Sequence, residues 1–159
     1  MEDIIRKQLI ETVEGKGSHI PFSRAIHDLP FDLAGKKVRN LDHTAWSLVY
    51  HMWIAQRDIL EFSRNPDHES PAYPKGYWPA SMNPGSSQEW KETIERIAAD
   101  LREMIALLRD PKNDLFAPFP WGSGQTLFRE AIILAGHNSY HIGQLIAIRQ
   151  LLGIPVKDW

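Results

Sequence analysis

His137 and His141 stand four residues apart in a stretch whose apolar residues recur at helical spacing. A helical turn takes about 3.6 residues, so both imidazoles leave one face, one above the other. Two neutral imidazoles so placed can grip one metal ion. Leu134, His137, His141, Leu145 and Ile148 follow a single stripe, which turns both rings toward a core. An unsatisfied polar ring there would cost roughly 1–3 kcal/mol, and ligation is one way of satisfying it. The third candidate ligand is His51, in an apolar run from Trp46 to Ile54 and on a stripe with Leu48 and Ala55. Three protein donors and an open position form the usual catalytic zinc arrangement. His43 competes for the third place, but it precedes His51 by about 12 Å along a helix axis, and His51 is preferred. His19, His27 and His68 read as ordinary surface or loop histidines. Glu130, two turns before His137, and Gln144, three residues after His141, are candidates to orient an imidazole or act on a substrate. Glu130 is better accounted for as a first-turn carboxylate favoured by the helix dipole, and the role of Gln144 stays open.

The elements that must position these residues are helices. Ile5, Leu9 and Val13 mark an amphipathic helix over about residues 2–14, ended by Gly15 and Gly17. Pro21 opens one or two helical turns, and residues 29–41 read as loop. A second long helix is expected from Asn40 or Asp42, either of which can cap it, fading near Asn65 and Pro66. Residues 64–86 are loop by composition, rich in Pro and Gly, and carry Tyr73, Tyr77 and Trp78. Loops of that length inside a domain are often functional; packing of its own aromatics onto the helices is the compatible structural account. Ser86 with Glu89 matches a capping box before a third helix over 87–109, stopped at Asp110-Pro111. A fourth runs from Thr126 to Leu152, with Gly153 and Pro155 as its stop. No strand pattern competes. The fold class expected is all-α, a four-helix bundle with long irregular connections, in a single domain over residues 1–159.

Composition narrows the chemistry. The chain has no cysteine, so a metal must be held by nitrogen and oxygen, and any thiol chemistry must bring its sulfur on a substrate. A net charge of −2 with scattered Lys and Arg argues against nucleic-acid or membrane partners. The N-terminus lacks an apolar signal core and no segment is long enough to span a bilayer, so a cytoplasmic protein is expected.

Three segments carry a family resemblance. Residues 48–60, Leu48 to Leu60, form the first. The second is Gly124-Gln125-Thr126-Leu127-Phe128-Arg129-Glu130-Ala131. The third, His137-Asn138-Ser139-Tyr140-His141-Ile142-Gly143-Gln144, is followed by Arg149-Gln150-Leu151-Leu152-Gly153. In these, and over most of its length, the chain resembles the DinB-like family of DinB/YfiT-type metalloenzymes. The resemblance implies a four-helix bundle, a divalent metal held by three histidines, and a homodimer. Carried over residue by residue, the ligands are His51, His137 and His141. Gly136 stands where relatives often carry an acidic residue, so a supporting role for that acid has no counterpart here.

The family's use of low-molecular-weight thiols makes a metal-dependent thiol S-transferase acting on a small molecule the first functional expectation. The alternatives are a metal-dependent hydrolase working through activated water, with Glu130 the one candidate base, and a non-catalytic metal-containing stress-response protein. Three imidazoles suit zinc or nickel first, and also iron or copper.

Overall fold

The computed structural model describes residues 1–17 and 19–157. Among these the chain is all-α, with helices α1 (Glu2–Val13), α2 (Phe22–Ile26), α3 (Phe31–Ala34), α4 (Ala45–Arg64), α5 (Ser87–Arg109) and α6 (Leu127–Leu151). Two residues, Pro118 and Thr126, form an isolated bridge, and a short 3-10 turn occupies Lys75–Tyr77.

Local chemistry explains where the long helices begin and end. Ser86 and Thr126 accept the backbone N–H three residues on, at Glu89 and Arg129, satisfying one of the donors that every helix start leaves free. Asn65 and Asp110 each precede a proline and are pushed to extended backbone, which ends α4 and α5. Gly15 and Gly153 follow α1 and α6 at φ 76°, a conformation that an L side chain resists.

The start of α4 departs from expectation. Neither Asn40 nor Asp42 caps it. Asn40 turns the chain at φ 65°, and Thr44 is the cap, its side chain accepting from Ser47 N–H while the Ser47 hydroxyl accepts from Thr44 N–H. A reciprocal pair satisfies two donors where a lone Asn or Asp satisfies one. The segment expected as loop over 29–41 also contains α3, entered from Pro30.

Among the long helices, α4 packs on α5 and α6, and α1 packs on the same two. The four therefore form a ring, with α1 across from α4 and α5 across from α6. Side chains buried inside it fall into two clusters. One surrounds Trp46, Leu48, Met52, Leu145 and Ile148; the other surrounds Leu9, Leu60, Met104, Leu108 and Leu134. Between them runs a polar seam: Asn138 Nδ2 donates to Gln56 Oε1 at 3.0 Å, and Gln56 Nε2 donates to the Ile97 carbonyl at 2.6 Å. α4 and α6 run antiparallel, since Trp121, just before α6, bonds the Phe62 carbonyl near the end of α4. No helix of the described residues is long and apolar enough to cross a membrane.

Candidate metal centre

α4 contributes His51 from its second turn, after a continuously buried run from Thr44 to Val49. α6 contributes His137 and His141, stacked by the four-residue spacing. The antiparallel contact of the two helices brings the three rings together, with centroids 4.9, 4.7 and 4.5 Å apart. One ligand atom from each lies within 4.8 Å of the others. His51 and His141 are buried, and His137 is the most exposed of the three.

The outer nitrogens show which way the rings are set. His51 Nδ1 donates to the Tyr77 carbonyl at 3.1 Å, and His141 Nδ1 to Gln144 Oε1 at 2.7 Å. With the proton on Nδ1 of each neutral ring, the Nε2 lone pairs are left pointing inward. His137 Nδ1 and Asn138 Oδ1 are both buried without a well-formed bond, although the Asn138 side chain lies close enough to favour the charged ring slightly.

Electrostatics keep all three rings neutral. Burial lowers the pKa of His51, against the opposing pull of the Tyr77 carbonyl, with His43 lowering it further. Burial likewise lowers His141, with Gln144 opposing. His137 is pushed down to about 4, chiefly by burial and then by the neighbouring His141 and His51. His137 Nε2 stands 3.0 Å from His51 Nε2. His137 Nδ1 has no well-formed bond, so the His137 proton sits on Nε2 and is donated to the lone pair of His51 Nε2; a shared cation would take the place of that proton. Tetrahedral zinc with Zn–N near 2.0–2.1 Å spaces its nitrogens by roughly 3.3 Å; the three donor atoms, all within 4.8 Å of one another, could close on such an ion by turning their rings.

His43 does not join the cluster. It lies just before α4, off the helical face, and stacks on Trp78 at 4.3 Å. Trp78 in turn stacks on His51 at 4.0 Å, so the indole separates the two imidazoles. Glu130 is in the first turn of α6, as expected, but is buried. Its carboxyl pairs with Arg129 at 2.5 Å and is raised in pKa by burial, with Asp58 close enough to add to the rise. His68, read from sequence as an ordinary loop residue, is bonded to Asp58 at 2.7 Å. Gln144 finds its role as the partner of His141. Sequence reasoning missed the parts played by Tyr77 and Trp78; their only signal was an unusual concentration of aromatics in the 64–86 loop. A surface cavity of about 740 Å³ lies elsewhere, beside Arg149 and Val156.

No curated protein and no solved structure matches the chain. A sequence model of the DinB superfamily matches residues 22–145, a span that holds all three histidines, the Tyr77–Trp78 pair and Gln144. The chain belongs to the DinB superfamily.

Proposed function

We propose that this protein is a metal-dependent enzyme of the thiol S-transferase type, with His51, His137 and His141 holding one divalent ion, zinc or nickel. The observation that supports it best is the three-histidine cluster itself: neutral rings, outer N–H groups engaged on His51 and His141, and inner nitrogens converging. Three uncharged ligands leave the ion's double charge undiminished, and a bound ion of that kind supplies Lewis acidity that lowers the pKa of a thiol placed against it. The chain has no sulfur nucleophile of its own, so the thiol arrives with a cosubstrate. Hydrolysis is the weaker reading, because its one candidate base, Glu130, is paired with Arg129.

The test is direct. Protein purified without added metal is expected to carry close to one zinc or nickel per chain by elemental analysis, and His137→Ala to lose it. Metal-loaded protein should then consume one of the common cellular thiols in the presence of a model electrophile. Metal content that survives His137→Ala would refute the ligand set; absence of any metal-dependent thiol consumption would refute the reaction.

A homodimer fits the outer face of α6. Ile132, Tyr140 and Leu151 are exposed there, no Asp, Glu, Lys or Arg occurs between Glu130 and Arg149, and a Cβ added at Gly136 or Gly143 would meet open space. The stripe Ile132, Gly136, Gly143, Ala147 is symmetric about its midpoint. An antiparallel second copy would set Gly136 against Gly143, the self-complementary pattern of a two-fold interface.

A further inference from the structure

The geometry points to Asp58 as a positioning residue that holds the ligand His51 in register through Tyr77, so that metal binding and closure of the 65–85 loop are one coupled equilibrium. This inference rests on the metal reading above and concerns how the site is held. Asp58 lies two turns beyond His51 on α4, with its side chain 15% exposed. Its Oδ2 accepts the Tyr77 hydroxyl at 2.6 Å, and its Oδ1 is bonded to His68 Nε2 at 2.7 Å. Both partners come from the loop, so one carboxylate clasps it twice. The backbone carbonyl of the same Tyr77 accepts His51 Nδ1–H, and the indole of the next residue, Trp78, covers the His51 ring. Two consecutive residues thus fix both the edge and the face of one imidazole.

The clasp sits beside an open stretch of the loop. Residues 72–76 are exposed. The far end is tied separately, where Trp46 Nε1 donates to the Ser81 carbonyl and the Thr44 hydroxyl to the Met82 carbonyl. Tyr77 keeps its proton, its pKa being raised to about 12 by burial and by Asp58, so it remains the donor to that carboxylate. Release of the clasp frees the carbonyl that aims His51. By reciprocity, an ion that favours the aimed ring must favour the closed loop by the same factor.

The experiment measures zinc affinity by competition with a chromophoric chelator for wild type, Tyr77→Phe, Asp58→Ala and the double variant. Each single variant is expected to weaken zinc binding about 10-fold or more, the usual effect of removing a group that orients a ligand. The double variant should be no weaker than Asp58→Ala alone, because the Tyr77 hydroxyl acts through that carboxylate. Tyr77→Phe removes a single loop hydroxyl and keeps the test valid should Asp58→Ala fail to fold. A second readout uses Lys75, the only Lys or Arg between Arg64 and Lys91. Zinc should slow tryptic cleavage after Lys75 in wild type and have little effect in Tyr77→Phe. Wild-type zinc affinity in Tyr77→Phe, or losses that simply add in the double variant, overturns the inference while leaving the metal centre standing. A wild type that takes up no zinc or nickel sinks both.

Discussion

Each of the three imidazoles turns one nitrogen toward the other rings, and they differ in what holds the second: a loop carbonyl for His51, a carboxamide one turn away for His141, and no well-formed bond for His137. That difference has a titration consequence. Each ring's pKa lies below the ordinary imidazole value, and His137 reaches about 4. An unfolded chain takes up protons near pH 6.5 that the folded chain refuses. Stability rises with pH wherever the unfolded state binds more protons, so the three rings' contribution should weaken metal-free protein as pH falls from about 6.5 toward about 4. The His137 share is on the order of 1–3 kcal/mol after allowance for its partial exposure. Thermal melts of the metal-free protein across this window check it, and His137→Phe should flatten the fall. A wild-type profile with no slope there would show that the rings are not shielded as their burial implies.

At the level of the elements, the position of His51 depends on where α4 begins. Asn40 and Asp42 carry the right side chains for a cap, yet the chain starts α4 only after Thr44, where Ser47 allows a reciprocal pair. The Thr44 hydroxyl also donates to the Met82 carbonyl at 2.8 Å, so this cap ties the helix to the end of the long loop. Thr44→Ala should therefore cost about 1–2 kcal/mol, at the upper end for a lost cap. A urea midpoint would show it, with the slope of the transition unchanged. The later start also leaves His43 off the helix, where it stacks on Trp78. From sequence, His43 was set aside by its distance from His51 along a helix; in the fold it is set aside because an indole stands between them. The other boundaries were legible in the sequence, since Ser86, Thr126, Asn65-Pro66, Asp110-Pro111 and Gly153 act through bonds or clashes within a few residues.

For the whole molecule, α6 is the unusual helix: it carries no Asp, Glu, Lys or Arg between Glu130 and Arg149, so its outer face is largely uncharged. With a second copy seated on its outer face, the wild type should run in light scattering at twice 18.3 kDa. Ile132→Lys combined with Ala147→Lys would set like charges across the two-fold and should return the mass to 18.3 kDa, with helical content retained. A wild type that is monomeric at micromolar concentration would remove the dimer from consideration.

The four long helices, most of their caps, and the shared face of His137 and His141 were legible in the sequence, because these follow from periodicity and from contacts a few residues long. The sequence also determined that any ligand set must do without thiolate, since the chain has no cysteine. The folded chain alone shows that His51 meets His137 across a chain separation of 86 residues, that Tyr77 and Trp78 close on His51, and that Asp58 clasps Tyr77 and His68. Those contacts depend on the antiparallel register of α4 against α6 and on the path of an irregular loop, and no local repeat in a sequence encodes either.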